Sequence, residues 1–168
     1  CQEIFESHDE KPTNSFLYSL VMDTYSVSGY TSTPFMEMPL NHKVFLAQFE
    51  AIKNLAKKES CIIVGRCADY ALEEHPNCIQ VFIHAEKEFR IQHIVETYGL
   101  TKEKAADMIQ KTDKKRANYY NYYSNKKWGD SRSYHLTLDS SVLGFDGCCK
   151  MILEHMEIVE AKKKEHVS

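Results

Sequence analysis

No run of apolar residues in these 168 positions approaches the length of a membrane span, and no signal-peptide pattern opens the chain. A basic excess is also missing. Twenty-one Lys and Arg stand against 24 Asp and Glu, a formal net charge of −3, which argues against a general nucleic-acid binder. The six cysteines (Cys1, Cys61, Cys67, Cys78, Cys148 and Cys149) include no C-x-x-C pair, and the eight histidines have no ligand spacing. A zinc site or a disulfide framework is therefore not expected. Cys61 and Cys78 fall inside apolar runs, so they read as buried free thiols of a cytoplasmic protein. Internal repeats and low-complexity segments are absent as well.

What is present suffices for one domain with a real core, since 43% of the residues are apolar. Phe16, Leu17, Leu20 and Val21 suggest a short amphipathic helix, and the stretch from Gly29 to Asn41, with Pro34 and Pro39, reads as a loop or flap. Phe45, Phe49, Ile52 and Ala56 recur at helical spacing, which predicts a helix over 42–58 with one buried stripe. Three short apolar runs read as strands: CIIV (Cys61 to Val64), IQVFI (Ile79 to Ile83) and, more weakly, YHLTL (Tyr134 to Leu138). Between the later two, Ile91, Ile94, Val95 and Tyr98 mark a helix ending at Gly99. Thr101 can cap the next helix, whose apolar line runs Ala105, Ile109, Thr112. A last helix carries Cys148, Ile152, His155 and Val159 on one side. Strands alternating with helices predict an α/β fold, a parallel sheet with helices on both faces.

Two places invite chemistry. Gly65-Arg66 directly follows a predicted strand, and in open α/β sheets ligands lie beyond the carboxyl ends of the strands. The planar fork of Arg66 suits a phosphate or carboxylate, although it could equally pair with Asp69 to fix the loop. The second place is KTDKKRANYYNYYSNKKWGD, Lys111 to Asp130, which packs six cations, four tyrosines and a tryptophan into twenty residues. Continuing the helical line brings Arg116, Tyr119 and Tyr123 onto the face turned toward the protein, while Lys114, Lys115 and Tyr122 point elsewhere. Asp113 and Arg116 are i, i+3 neighbours that can brace each other. Such a helix suits a compact anion better than a flat duplex. DSSVLG, Asp139 to Gly144, occupies the equivalent place after the last strand and by composition reads as a turn with a helix N-cap.

VGRCADY, KTDKKRANYYNYYSNKKWGD and LDSSVLG together resemble the cytidylate-kinase-like family of P-loop nucleoside-monophosphate kinases, over about Asp9 to Ile152. The resemblance implies transfer of the γ-phosphoryl of ATP, with Mg2+, to CMP, dCMP or a related monophosphate. It divides the single domain into an acceptor-side region at 1–42, core at 43–100, a lid at 101–130, and core with a C-terminal helix at 131–168. Arg66 and Asp69 would bind the acceptor. Arg116, Lys115 and Lys111 would be catalytic, supported by Asp113, Lys114, Tyr119 and Tyr123. Ser140, Ser141, Leu143 and Gly144 would lie near the adenine, and no metal ligand is assigned within the chain.

Two departures accompany the resemblance. In the better-known cytidylate kinases an acid directly follows the Gly-Arg pair; here Cys67 stands there and the acid comes at Asp69, leaving the acceptor base open. No G-x-x-x-x-G-K-[ST] occurs either. The family places that loop and the first strand before the residue numbered 1 here, so the chain is expected to be an incomplete, inactive piece of the enzyme. The magnesium ligands are expected upstream too. A sheet short of a central strand would also invite pairing with another copy. Other readings are an inactive nucleotide-binding sensor and an RNA-binding module that uses the Lys, Arg and Tyr segment.

Overall fold

The computed structural model describes residues 40–165. The expected helix around Phe16 to Val21 and the expected loop from Gly29 as far as residue 39 lie outside the described residues, as does Cys1. Leu40 and Asn41, expected to end that loop, open a helix instead. The chain divides into two compact units, Cys1–Glu74 and His75–Ser168.

In the first unit, α1 (Leu40–Lys58) forms as the spacing predicts. Phe45, Ala47, Gln48 and Ile52 are buried, and the Phe49 ring packs at 5.8 Å against both Phe45 and Tyr70. Lys53 Nζ stands 4.7 Å from the centre of the same ring, a cation–π contact on its open side. Tyr70 belongs to α2 (Ala68–Ala71), so one aromatic stack joins the two helices.

The run Cys61 to Val64 departs from expectation. It is neither a strand nor buried: Ile62 is 95% and Val64 88% exposed. An apolar run makes a strand only when a neighbour supplies the ladder, and among the described residues the single ladder lies in the other unit. Cys61 is consequently exposed, not buried. Cys78, also expected to be buried in a strand, is half-buried and precedes the strand Val81–His84. The described cysteines are all free, with Cys67 and Cys148 buried and Cys149 exposed.

The second unit holds β1 (Val81–His84) and β2 (Leu136–Asp139), paired in parallel with Val81 opposite Leu136 and His84 opposite Asp139. Parallel pairing demands a long crossover, and two helices provide it. α3 (Lys87–Tyr98) stops at Gly99, whose φ of 65° lets its N–H reach Val95 O at 2.9 Å. α4 (Lys102–Ser124) starts at Thr101, whose hydroxyl accepts from Lys104 N at 3.4 Å. The short loop makes the two helices antiparallel, with Ile91, Ala105 and Ile109 buried between them.

The far end of α4 returns to the sheet through aromatics. Trp128 meets Phe82 edge-on at 5.6 Å, and Tyr134 lies on the same ring at 4.9 Å. Gly129 passes so close that an added Cβ would stand 3.3 Å from Phe82, and its φ of +77° would strain any other residue there. Asp130 then caps a 3-10 turn (Ser131–Ser133) that leads into β2.

The last helix, α5 (Ser140–Glu165), is broken at Gly144, where φ 67° and ψ 174° belong to a region essentially reserved for glycine. Beyond the break Cys148 is buried and Ile152, His155 and Val159 are half-buried, the predicted stripe. Lys163 Nζ donates to Pro76 O at 2.6 Å and Asn77 Oδ1 at 2.8 Å, tying the helix end to the loop before β1. The architecture is mixed α/β, mostly helical, with a small parallel sheet. No helix among the described residues is long and apolar enough to cross a membrane.

Candidate functional site

In the first unit the site is built from backbone. Gly65, Arg66 and Cys67 follow one another in the left-handed region, with φ of 73°, 57° and 54°. For the two non-glycine residues this conformation costs about 1–2 kcal/mol each. The turn closes through Ala68 N to Gly65 O at 3.1 Å, and Ala71 N to Cys67 O at 2.9 Å starts α2. Its anchor is the Cys67 side chain, 3% exposed. Burial, with the charge of Asp69 adding to it and that of Arg66 opposing it, pushes the thiol up to about 12. A thiol so placed is neutral packing material, not a nucleophile. Arg66 and Asp69 are both half-buried and both act on it electrostatically. Backbone strain held by surrounding structure is characteristic of ligand-binding positions.

In the second unit the cations sit on regular helix. Lys111, Lys114, Lys115 and Arg116 are exposed, and Lys111 is paired with Asp107 one turn earlier at 2.6 Å. Two expectations change here. Arg116 was expected to face the protein among tyrosines, but the face is uncovered at that point. Arg116 is exposed there, and burial on α4 resumes only at Tyr120 and Ser124. Asp113 was expected to brace Arg116; instead it receives both terminal nitrogens of Arg90 at 2.7 Å each. The tyrosines form a ladder, with Tyr119 and Tyr122 rings 4.8 Å and 4.9 Å from that of Tyr123. Tyr120 is core, and Ser124 donates to its carbonyl at 2.6 Å.

The carboxyl ends of β1 and β2 form a third cluster in the same unit. Ser140, buried, donates to His84 O at 3.1 Å. The Ser141 hydroxyl donates to Asp139 Oδ1 and accepts from Glu86 N at 3.2 Å, while Ser141 N donates to the same carboxylate oxygen at 2.9 Å. The Ser141 hydroxyl, then desolvation opposing it, leave the Asp139 carboxyl below its usual range. His84 Nδ1 lies 3.8 Å from Asp139 Oδ2. Both serine hydroxyls are thus committed to stitching the strand ends. Leu143 and its neighbours Val142 and Phe145 are exposed around the Gly144 break.

The named residues therefore fall into one strained turn, one helical turn of cations and one strand-end cluster. Arg66 and Asp69 lie in the first unit, the remainder in the second. Sequence reasoning missed Arg90 and His84; Asp139 it read as part of a turn and N-cap, and the carboxylate does accept from Ser141 N. The antiparallel register of α3 and α4 about Gly99 to Thr101 contains the signal for Arg90, because it sets residue 90 opposite 113. No group of three metal-ligating side chains occurs among the described residues.

A model of the cytidylate kinase-like family matches residues 1–142. Among solved structures, the crystal structure of an uncharacterized protein from Eubacterium ventriosum ATCC 27560 is similar, with a TM-score of 0.67 and 34% sequence identity. The match covers 70% of this chain and 74% of that one. No curated protein matches.

Proposed function

The chain belongs to the cytidylate kinase-like family, and from this we propose that the protein is a nucleoside-monophosphate kinase acting first on CMP or dCMP. The observation that carries the reading is the turn Lys114-Lys115-Arg116, exposed on a helix fixed at both ends. In phosphoryl transfer an oxygen of the acceptor's phosphate attacks the γ-phosphorus of ATP in line, and the β–γ bridging oxygen leaves with ADP. That step needs little acid–base chemistry and much positive charge held in place. Arg116 would meet the charge shared between donor and acceptor, with Lys115 and Lys111 beside it. Arg66 would hold the acceptor's phosphate and Asp69 its nucleoside or Arg66 itself.

Mg2+ would enter with ATP and add positive charge at its phosphates, beside the cations of α4. The sugar and base of ATP would lie against Ser140 to Gly144, where the committed serine hydroxyls leave backbone and apolar surface for contact. The test is ADP release from magnesium-ATP with CMP, dCMP, UMP, AMP and GMP as acceptors. Release dependent on CMP or dCMP is the expected outcome. Folded protein that binds ATP yet stays silent across the panel would point instead to a different acceptor or to a nucleotide sensor.

A further inference from the structure

Asp113 is the anomalous member of the cation turn. It stands between Lys111 and the run Lys114-Lys115-Arg116. A carboxylate there opposes any approaching phosphate, and three residues along the helix it lies within reach of Arg116. The structure commits it elsewhere. Arg90 Nη1 donates to Oδ2 and Nη2 to Oδ1, both at 2.7 Å, so each carboxylate oxygen is engaged by a planar fork. The two side chains are 32% and 27% exposed, which leaves water only partial access to compete. A forked, half-buried pair outlasts a single exposed contact along a helix. Arg116, meanwhile, is exposed and makes no ion pair among the described residues.

The register of the helices explains why Arg90 can do this. Ile91 packs on Ala105 and Ile109, which brings the preceding residue of α3 to the next turn of α4. There the apolar contact ends and the cations begin. The ion pair thus ties α3 to α4 one turn beyond the apolar contact, beside the exposed Lys114, Lys115 and Arg116.

We infer that Arg90 is a positioning residue for the cation turn: by occupying both oxygens of Asp113 it keeps that carboxylate from capturing Arg116 and from opposing a bound phosphate. The kinetic consequence rests on the kinase reading above; the choice of partner by Asp113 does not.

Arg90→Gln removes the charge and keeps a side chain of similar reach. Turnover of ATP and acceptor is expected to fall about tenfold in kcat/KM, the effect of one uncompensated charge near a protein surface. Adding Asp113→Asn should bring it back to within about threefold of the parent, because the two changes act through one interaction. A simple brace between helices gives the opposite result, a double variant as impaired as Arg90→Gln, and that outcome overturns the inference.

A second readout needs no turnover: modification of Arg116 by phenylglyoxal, followed by peptide mass spectrometry. It should slow about twofold in Arg90→Gln, as an i, i+3 pair permits, and recover in the double variant. Unchanged labelling of Arg116 would also overturn the inference. Should the parent protein transfer no phosphoryl group, the kinase reading fails while the labelling still decides the pairing. If Arg90→Gln does not fold by circular dichroism, Arg90→Lys, which loses the fork, is labelled instead; slower labelling of Arg116 than in the parent is expected, and the parent's rate overturns the inference.

Discussion

Arg66 and Arg116, the two arginines proposed to meet phosphate, are held in opposite ways. Arg66 stands in three consecutive left-handed residues, braced by a cysteine buried beside it. Arg116 stands on unstrained helix whose ends are held by an apolar contact at Ile109 and by aromatics around Trp128. The first position stores conformational energy and depends on local packing to keep it. The second stores none and depends on anchors several turns away. A strained turn fixes one side chain closely, whereas an anchored helix carries several cations as one body. These suit an acceptor phosphate held in place and a charge that must be met as it forms.

The largest effect expected of this contrast is at the helix. Arg116→Ala should lower kcat on the order of 10³-fold while leaving the thermal midpoint almost unmoved, since the side chain is exposed. Near-normal turnover would remove Arg116 from the transfer step.

At the turn the effect should be smaller and of another kind. Arg66→Ala should raise the acceptor KM about 10- to 100-fold, the loss of a charge-assisted hydrogen bond to phosphate, with kcat less affected. An acceptor KM equal to the parent's would refute the assignment.

The smallest effect sharpens the strained side alone. Because folding raises the Cys67 thiol to about 12, the unfolded chain loses that proton first. Stability contributed by the neutral thiol is therefore complete below about pH 9 and falls progressively as pH rises toward 12. Denaturant titrations of the parent and Cys67→Ala should diverge in slope only across that range. In the native state at pH 8, a thiol reagent should reach Cys61 and Cys149 and spare Cys67 and Cys148. Rapid labelling of Cys67 would show that the turn opens and is not held by burial.

Much of the helical framework was legible in one dimension. The stripe through Phe45 and Ile52, the stop at Gly99, the cap at Thr101 and the line from Cys148 to Val159 each follow from local propensity and period, and each is found. Strands were less legible. IQVFI and YHLTL correspond to β1 and β2, shifted by one or two residues toward their carboxyl ends. CIIV carries an equal apolar signal and forms none, because a strand is a property of a pair of segments and not of one. The strain at Arg66 and Cys67 was invisible too, since neither residue type announces positive φ.

By itself the sequence determined the residues available for chemistry: an arginine after a glycine near a predicted strand end, a helical run of cations, and serines after the last strand. It did so because composition and spacing suffice for helices, which satisfy their own hydrogen bonds within one segment. Tertiary structure decided how those residues are used. Arg116 is exposed where the periodicity turned it toward the protein, and Ser140 and Ser141 are tied to strand ends that meet only across the fold. Asp113 turns away from its near neighbour because packing of Ile91 on Ile109 brings Arg90 within 2.7 Å, a contact 23 residues distant that no local pattern encodes.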